Sequence, residues 1–386
     1  MEKLFPQLKS SERRQLSQTR ETMVGIPAGP REMGCVVVPV HHLESETLER
    51  TLRIYSEHEE ILSHTFSIML YVNGTNPNVA FSPAANVIDS IQTSIPEMPL
   101  IVAFAQYQHI KMGTLRRDAS ILAIERANEA GLELNHYLLI NHDADLKGLP
   151  KRYFSSGYEE FSSNPQLSIV SGLAYYDEND YKSYETLLWL QRFGDVLNIY
   201  RRRKNGFIRG EENNLWIRAQ NYLNAGGHNR ARLSESANLI KKITGSDMSK
   251  ILGTTRKSLR ATYDPRRHFS VVRSGQLFSD QYEYFGTDSD HIHGNPQTEL
   301  QSRDYSGINK EVLSVELSEI FLHQLLGICF RKIHSNPLSN RSAEQVFDLC
   351  YCDYREDTIE LISKFSRCSQ FLGISICFEK NIIRID

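Results

Sequence analysis

The chain has 386 residues, with 44 Lys+Arg against 47 Asp+Glu for a net charge of −3, and 40% hydrophobic against 24% charged residues. That balance supports a sizeable core and excludes a disordered chain, and the near-neutral charge excludes a protein shaped as a whole to neutralise a nucleic-acid backbone. Its 22 glycines and 13 prolines exclude collagen-like and low-complexity classes.

Residues 1–32 are polar, carry no apolar stretch of the kind a secretory signal needs, and read as an arm or short helix ahead of the core. Cys35–Val40 is a β-branched run that predicts a buried strand feeding a loop. Glu46–Leu62 has the apolar spacing of an amphipathic helix. Thr65–Val72 predicts a second strand, stopped by the turn signal Asn73-Gly74-Thr75-Asn76-Pro77, and Leu100–Phe104 a third. Thr114–Ala130 reads as a helix closed by Gly131, and Tyr137–Ile140 as a strand running into Asn141-His142-Asp143-Ala144-Asp145. Beyond Pro150 the order is mixed. Leu167–Ala174 reads as a strand, Ser183–Arg202 as a long helix, and Glu212–Gly227 as a strand or turn entering a short helix capped by Gly226-Gly227. Residues 301–386 read as an α-rich region. No apolar run approaches the roughly 18 residues of a membrane span, and none of the six cysteines forms a C-x-x-C pair. Reduced thiols and a cytoplasmic location are the expectation.

Strand–helix alternation predicts an α/β fold with a mostly parallel sheet flanked by helices, and such sheets place ligands outside the carboxyl ends of their strands. Val40-His41-His42, Asn73-Gly74 and Asp143–Asp145 all follow predicted strands, so they are expected on one edge. Two carboxylates at Asp143 and Asp145 can hold a hard divalent cation, Mn²⁺ or Mg²⁺, which can neutralise a diphosphate. Arg116 and Arg117 near a helix start run against the helix dipole and hint at a bound anion. At Tyr263-Asp264-Pro265 a turn would project Arg266, Arg267 and His268 together, two guanidiniums and a metal-binding imidazole. No G-x-x-x-x-G-K-S/T loop and no G-x-S-x-G is present, which counts against a P-loop nucleotidase and an α/β-hydrolase.

In sequence order these pieces resemble family-2-like glycosyltransferases with the GT-A fold. The run Val36–Val40 with Glu44 and the helix from Leu48 resembles the opening of that family. Tyr71-Val72-Asn73-Gly74-Thr75 is similar to its second-strand terminus, and Gly113–Arg117 with Ala130-Gly131 to the helix before its D-x-D strand. Asn213–Arg218 with Gly226-Gly227 resembles the acceptor-side segment, and Ser234–Leu239 the acidic turn and helix that follow. The resemblance implies a metal-dependent glycosyltransferase moving a sugar from a UDP or GDP sugar to a hydroxyl acceptor, whether small molecule, saccharide or lipid-linked. It implies a catalytic domain over 33–300, with a nucleotide-binding half at 33–145 and an acceptor-binding half at 146–300. Pro39, Val40, His41, Glu44, Asn73, Arg116, Arg117, Asp143, Ala144, Asn214, Trp216, Arg266 and Arg267 would contact the nucleotide sugar. Asp143, Asp145 and His268 would hold the metal, with His228 the rival histidine, and Glu235 would serve as general base in an inverting enzyme. A retaining relative, needing no such base, stays open. Asn73 and Ser236 depart from the family's aspartates. For residues 301–386, packing on the core, a homodimer interface and a cover for the acceptor stay open. A catalytically decayed GT-A binding protein and a sugar-phosphate nucleotidyltransferase are the alternatives; neither nucleic acid nor a transmembrane segment is expected.

Overall fold

A computed structural model describes residues 4–74, 79–106, 112–176, 178–181, 213–229, 235–245, 247–254, 256–264, 376–379 and 382–385. The strands β1 (Val24–Gly25), β2 (Gly34–His41), β3 (Phe66–Gly74), β4 (Leu100–Gln106), β5 (Leu138–Asn141), β6 (Leu146–Gly148), β7 (Ile169–Ser171), β8 (Leu173–Tyr176), β9 (Leu215–Arg218), β10 (Ile251–Gly253) and β11 (Arg260–Tyr263) belong to one compact unit. Eight of them form a sheet in the order β1-β4-β3-β2-β5-β9-β7-β10, and β6-β11-β8 form a second, three-stranded sheet. Strands β4, β3, β2 and β5 run parallel, as do β7 and β10. Strand β9 runs antiparallel to both β5 and β7, and β1 antiparallel to β4. The sheet is therefore mixed and mostly parallel, as predicted.

Alternation along the strands divides the core into two layers. Val36, Val38 and Val40 pack on one face with helices α2 (Glu46–Ser56), α3 (Glu59–Leu62), α4 (Pro83–Ser94) and α6 (Tyr153–Ser163). Cys35 and Val37 pack on the other with α1 (Ser10–Glu21), α5 (Met112–Glu129), α7 (Ala219–Asn224) and α8 (Glu235–Thr244). Burial of both faces is why β2 and β3 read as unbroken apolar runs.

The polar N-terminal segment contributes to this core through Phe5, Leu8 and Leu16. The single helix expected over Glu46–Leu62 divides into α2 and α3, because His58 takes an extended backbone and sets its ring edge-on to Phe154, centroids 5.2 Å apart. The strand expected at Leu167–Ala174 breaks at Gly172, whose N–H donates to Asn214 O, and its halves join different sheets. Helix α4 was not among the predicted elements, although Ser82-Pro83 is a start signal: Ser82 Oγ accepts from Ala85 N–H, and proline occupies the first turn. The predicted helix Ser183–Arg202 lies outside the described residues. Apart from the short turn Glu178–Tyr181, the described parts of the second unit are an antiparallel pair, β12 (Ile376–Glu379) and β13 (Ile382–Ile385). Within the region expected to be α-rich, the described residues are thus strands.

Candidate active site at the sheet's carboxyl edge

Chain order and strand order part company between β2 and β5. From β2 the chain moves outward to β3 and β4, then returns to place β5 on the other side of β2. Neighbouring loops diverge at such a reversal and leave a crevice outside the carboxyl ends. Strand β2 pairs with β3 as far as His41↔Asn73, but with β5 only as far as Val37↔Asn141. Pro39 and Val40 fall in the stretch beyond that last pairing with β5; Pro39, without an N–H, asks for no ladder bond there.

The loop leaving β2 is tightly fixed. Asn73 Nδ2 donates to Val40 O at 2.8 Å and to Tyr71 O at 3.3 Å, and His42 N–H donates to Asn73 O at 2.8 Å. An aspartate at 73 could make neither of the two side-chain bonds, which gives the departure from the family pattern a structural use. Gly74 lies so close to the His42 ring that a Cβ there would collide with it. The His41 and His42 rings sit 4.5 Å apart, Glu44 N–H donates to His41 O at 2.9 Å, and Thr47 Oγ1 donates to the Glu44 carboxylate.

Across the crevice, Asp143, Ala144 and Asp145 are buried and held by three elements. From α5, Arg116 Nη2 donates to Asp143 Oδ1 at 2.6 Å. From α2, Thr51 Oγ1 donates to Ala144 O at 2.9 Å and accepts from Leu146 N–H at 3.0 Å. At the end of β11, Asp264 N–H donates to Asp145 O at 3.0 Å, while Arg50 bridges Leu146 O and Asp264 Oδ2. Both Asp143 and Asp145 act on the buried Tyr263 phenol, whose pKa is raised first by burial, then by Tyr153, Tyr55 and these two carboxylates.

His142, between the strand end and Asp143, anchors the loop on the α2 side. Its Nδ1 lies 2.7 Å from Tyr55 Oη and its Nε2 2.7 Å from Tyr153 Oη. Trp216 Nε1–H donates to Tyr153 Oη at 3.0 Å, and that hydroxyl donates to Asn214 Oδ1 at 2.6 Å. With its hydrogen spent, Tyr153 accepts from His142 Nε2–H, and Nδ1 accepts from Tyr55. Asn214 Nδ2 then donates to Leu173 O and Leu259 O. Every polar hydrogen in this chain of contacts has an acceptor. Burial above all pushes the His142 pKa down, to about 3, so the ring is neutral.

The structure sorts the predicted residues accordingly. Pro39, Val40, His41, Glu44, Asn73, Arg116, Asp143, Ala144 and Asp145 lie on the loops and strand ends of the crevice or reach into them. Arg117 does not: its guanidinium is shared between Glu12 of α1 at 2.6 Å and Asp118, which makes it a clamp between helices. Asn214 and Trp216, expected to contact the nucleotide sugar, are wholly buried; Trp216 packs against Phe66, Tyr153 and Phe154. They brace the His142 loop from beneath. Glu235 opens α8 as predicted, though its side chain lies outside the described residues, as do Arg266, Arg267 and His268. Sequence reasoning missed His142, Thr51, Tyr153 and Arg50, which carry no motif of their own. The signal for His142 was its place inside Asn-His-Asp-Ala-Asp.

Two carboxylates suit a cation that keeps waters and phosphate oxygens in the rest of its shell, the habit of Mg²⁺ and its hard relatives. Among the described residues no group of three or more His, Cys, Asp or Glu is gathered for a metal. Nor, among them, is any helix long and apolar enough to cross a membrane.

No family model matches the chain, and no curated protein matches it. Among solved structures, the chain is similar to a mannosyltransferase from Pyrobaculum calidifontis in complex with GDP-Man and Mn²⁺, at 11% identity and a TM-score of 0.41, over 96% of this chain and 90% of that one. It is also similar to glucosyl-3-phosphoglycerate synthase from Mycobacterium tuberculosis in complex with Mn²⁺, UDP and phosphoglyceric acid, at 11% identity and a TM-score of 0.36, over 64% and 76%. The same enzyme with Mg²⁺ and UDP scores 0.34 at 11% identity, over 64% of this chain and 76% of that one. Likenesses this distant leave the activity to the chain's own residues.

Proposed function

We propose that this chain is a metal-dependent glycosyltransferase that moves a sugar from a UDP or GDP sugar to a hydroxyl acceptor. One observation carries the reading: Asp143 and Asp145, held from three sides, stand at the carboxyl end of β5 where the strand order reverses. Asp143 and Asp145 would hold Mn²⁺ or Mg²⁺, which when bound offsets the negative charge that grows on a diphosphate leaving group. Arg116 keeps one oxygen of Asp143 engaged and so fixes where the other points. The loop from His41 to Glu44, with Asn73 behind it, would take the nucleoside.

The family resemblance supplies a third ligand. His268 would complete the metal shell, with Arg266 and Arg267 on the diphosphate. Glu235, at the start of α8, is the general base if the reaction inverts.

The test is release of UDP or GDP from a panel of nucleotide sugars with and without Mn²⁺, together with Asp145→Asn. Metal-dependent release lost in the variant supports the reading. Failure of the folded protein to bind any nucleoside diphosphate, with or without metal, overturns it.

A further inference from the structure

Behind Asp143, on the α5 side of the sheet, lie polar groups that the reading above leaves unused. Among the described residues, both side-chain atoms of Asn141 and Nε2 of His228 are buried without a hydrogen-bond partner. Asn141 is 0% and His228 2% exposed. Asn141 stands opposite Leu215 in the β5–β9 pairing, and Leu139 and Leu215 both belong to the α5-side core, so alternation sends the carboxamide to that face. Tyr222 of the same core places its Oη 2.9 Å from His228 Nδ1.

His228 N–H also donates to Tyr222 Oη at 3.3 Å, and with the phenol's hydrogen directed to Nδ1 a neutral ring carries its proton on Nε2. Burial pushes the ring's pKa well below the usual histidine range, and Arg116, Lys242 and Arg117 push the same way. In that tautomer Nε2–H is a buried donor without an acceptor, and Arg116, Lys242 and Arg117 all lie near enough to act on the ring. Its position is built: Gly226 and Gly227 take consecutive positive φ values of 74° and 71°, and Lys242 Nζ donates to Gly227 O at 3.1 Å. Buried donors without acceptors are costly, and nests of donors in positive potential suit oxyanions.

We propose that His228 and Asn141, beside the Arg116–Asp143 pair, form an enclosed site for a phosphoryl oxyanion. The inference deepens the transferase reading and rests on it only for the source of the phosphate: the diphosphate of a nucleotide sugar or the phosphate of a phosphorylated acceptor.

Calorimetric titration of the full chain with pyrophosphate, inorganic phosphate, UDP and GDP, with and without Mn²⁺, tests it. His228→Phe keeps the ring's bulk but removes the donor, and is expected to weaken anion binding about tenfold or more. His228→Gln offers an amide N–H and is expected to stay within about threefold of the wild type. Asn141→Val is expected to weaken binding comparably and to raise the thermal midpoint, since it removes a buried amide with no partner; a merely structural asparagine would lower that midpoint. Phosphate binding that survives saturating UDP or GDP assigns the site to an acceptor, and mutual exclusion assigns it to the donor. Unchanged anion affinity in folded His228→Phe and Asn141→Val overturns the proposal, as does a wild type that binds none of the anions. Should His228→Phe not fold, Asn141→Val decides. Absence of sugar transfer alongside His228-dependent anion binding would sink the transferase reading and leave this site standing.

Discussion

At the amino end of the large sheet, Glu32 is buried and accepts four hydrogen bonds: from Ser67 Oγ, Tyr137 Oη and Arg126 Nη1 on one oxygen, each at 2.6 Å, and from Arg126 Nη2 at 2.8 Å on the other. Arg126 Nε also donates to Ile26 O at 3.0 Å. At the carboxyl end, Asp143 is likewise buried beside an arginine, yet among the described residues His42 Nδ1, both side-chain atoms of Asn141 and His228 Nε2 are buried without partners. One end buries its charge in a closed set of matches; the other keeps donors and acceptors uncommitted. Matched networks hold strands in register, while unmatched groups raise the free energy of the empty protein and so favour whatever completes them. The same contrast separates one thiol from two imidazoles. Burial pushes the Cys35 thiol up to about 12, leaving it inert, while burial lowers the pKa of His42 and His228 and holds both rings neutral.

The sharpest break of this comparison is Glu32→Ala, which leaves Arg126 buried without its carboxylate. It is expected to destabilise by about 3–5 kcal/mol in urea denaturation, whereas the double change Glu32→Leu with Arg126→Met is expected to cost far less. Next comes Asp145→Asn. It should lower nucleotide release by about a hundredfold, an effect of about 2.7 kcal/mol on the barrier, with less than about 1 kcal/mol of lost stability. An equal loss of stability and activity would place Asp145 with the amino-end network.

A smaller effect is set by acid. His142 titrates near 6.5 when unfolded and near 3 when folded, so between those values the unfolded chain binds more protons. Stability is therefore fully present above pH 6.5 and falls as pH drops, by about 2 kcal/mol from this residue between pH 6.5 and 5. His142→Gln should flatten that slope in denaturation curves measured at the two pH values. The smallest effect is expected at Arg20→Gln, which breaks an exposed pair with Glu129 and should change stability by no more than about 0.5 kcal/mol.

Much of the architecture was legible because parallel strands buried on both faces write themselves as apolar runs, as Cys35–Val40 does. The carboxylates were legible for a related reason: Asp143 and Asp145 follow such a run directly. What escaped was long-range. Nothing local says that Thr51 answers Ala144, that Tyr153 is the hub joining His142, Asn214 and Trp216, or that Arg117 is claimed by a helix 105 residues earlier. Trp216 looked like a sugar-facing aromatic because composition cannot tell an exposed ring from a buried one. Asn73 looked like a departure until its amide was seen joining two carbonyls, one on β2 and one on its own strand β3.

Glu12's grip on Arg117 gives the N-terminal helix an influence that its sequence does not advertise. Arg117 and Arg116 are adjacent on α5, one leashed to the chain's opening segment and the other to Asp143. Trimming or fusing residues ahead of Gly34 for convenience of expression would thus tug, through one helix, on the carboxylate this protein is proposed to use.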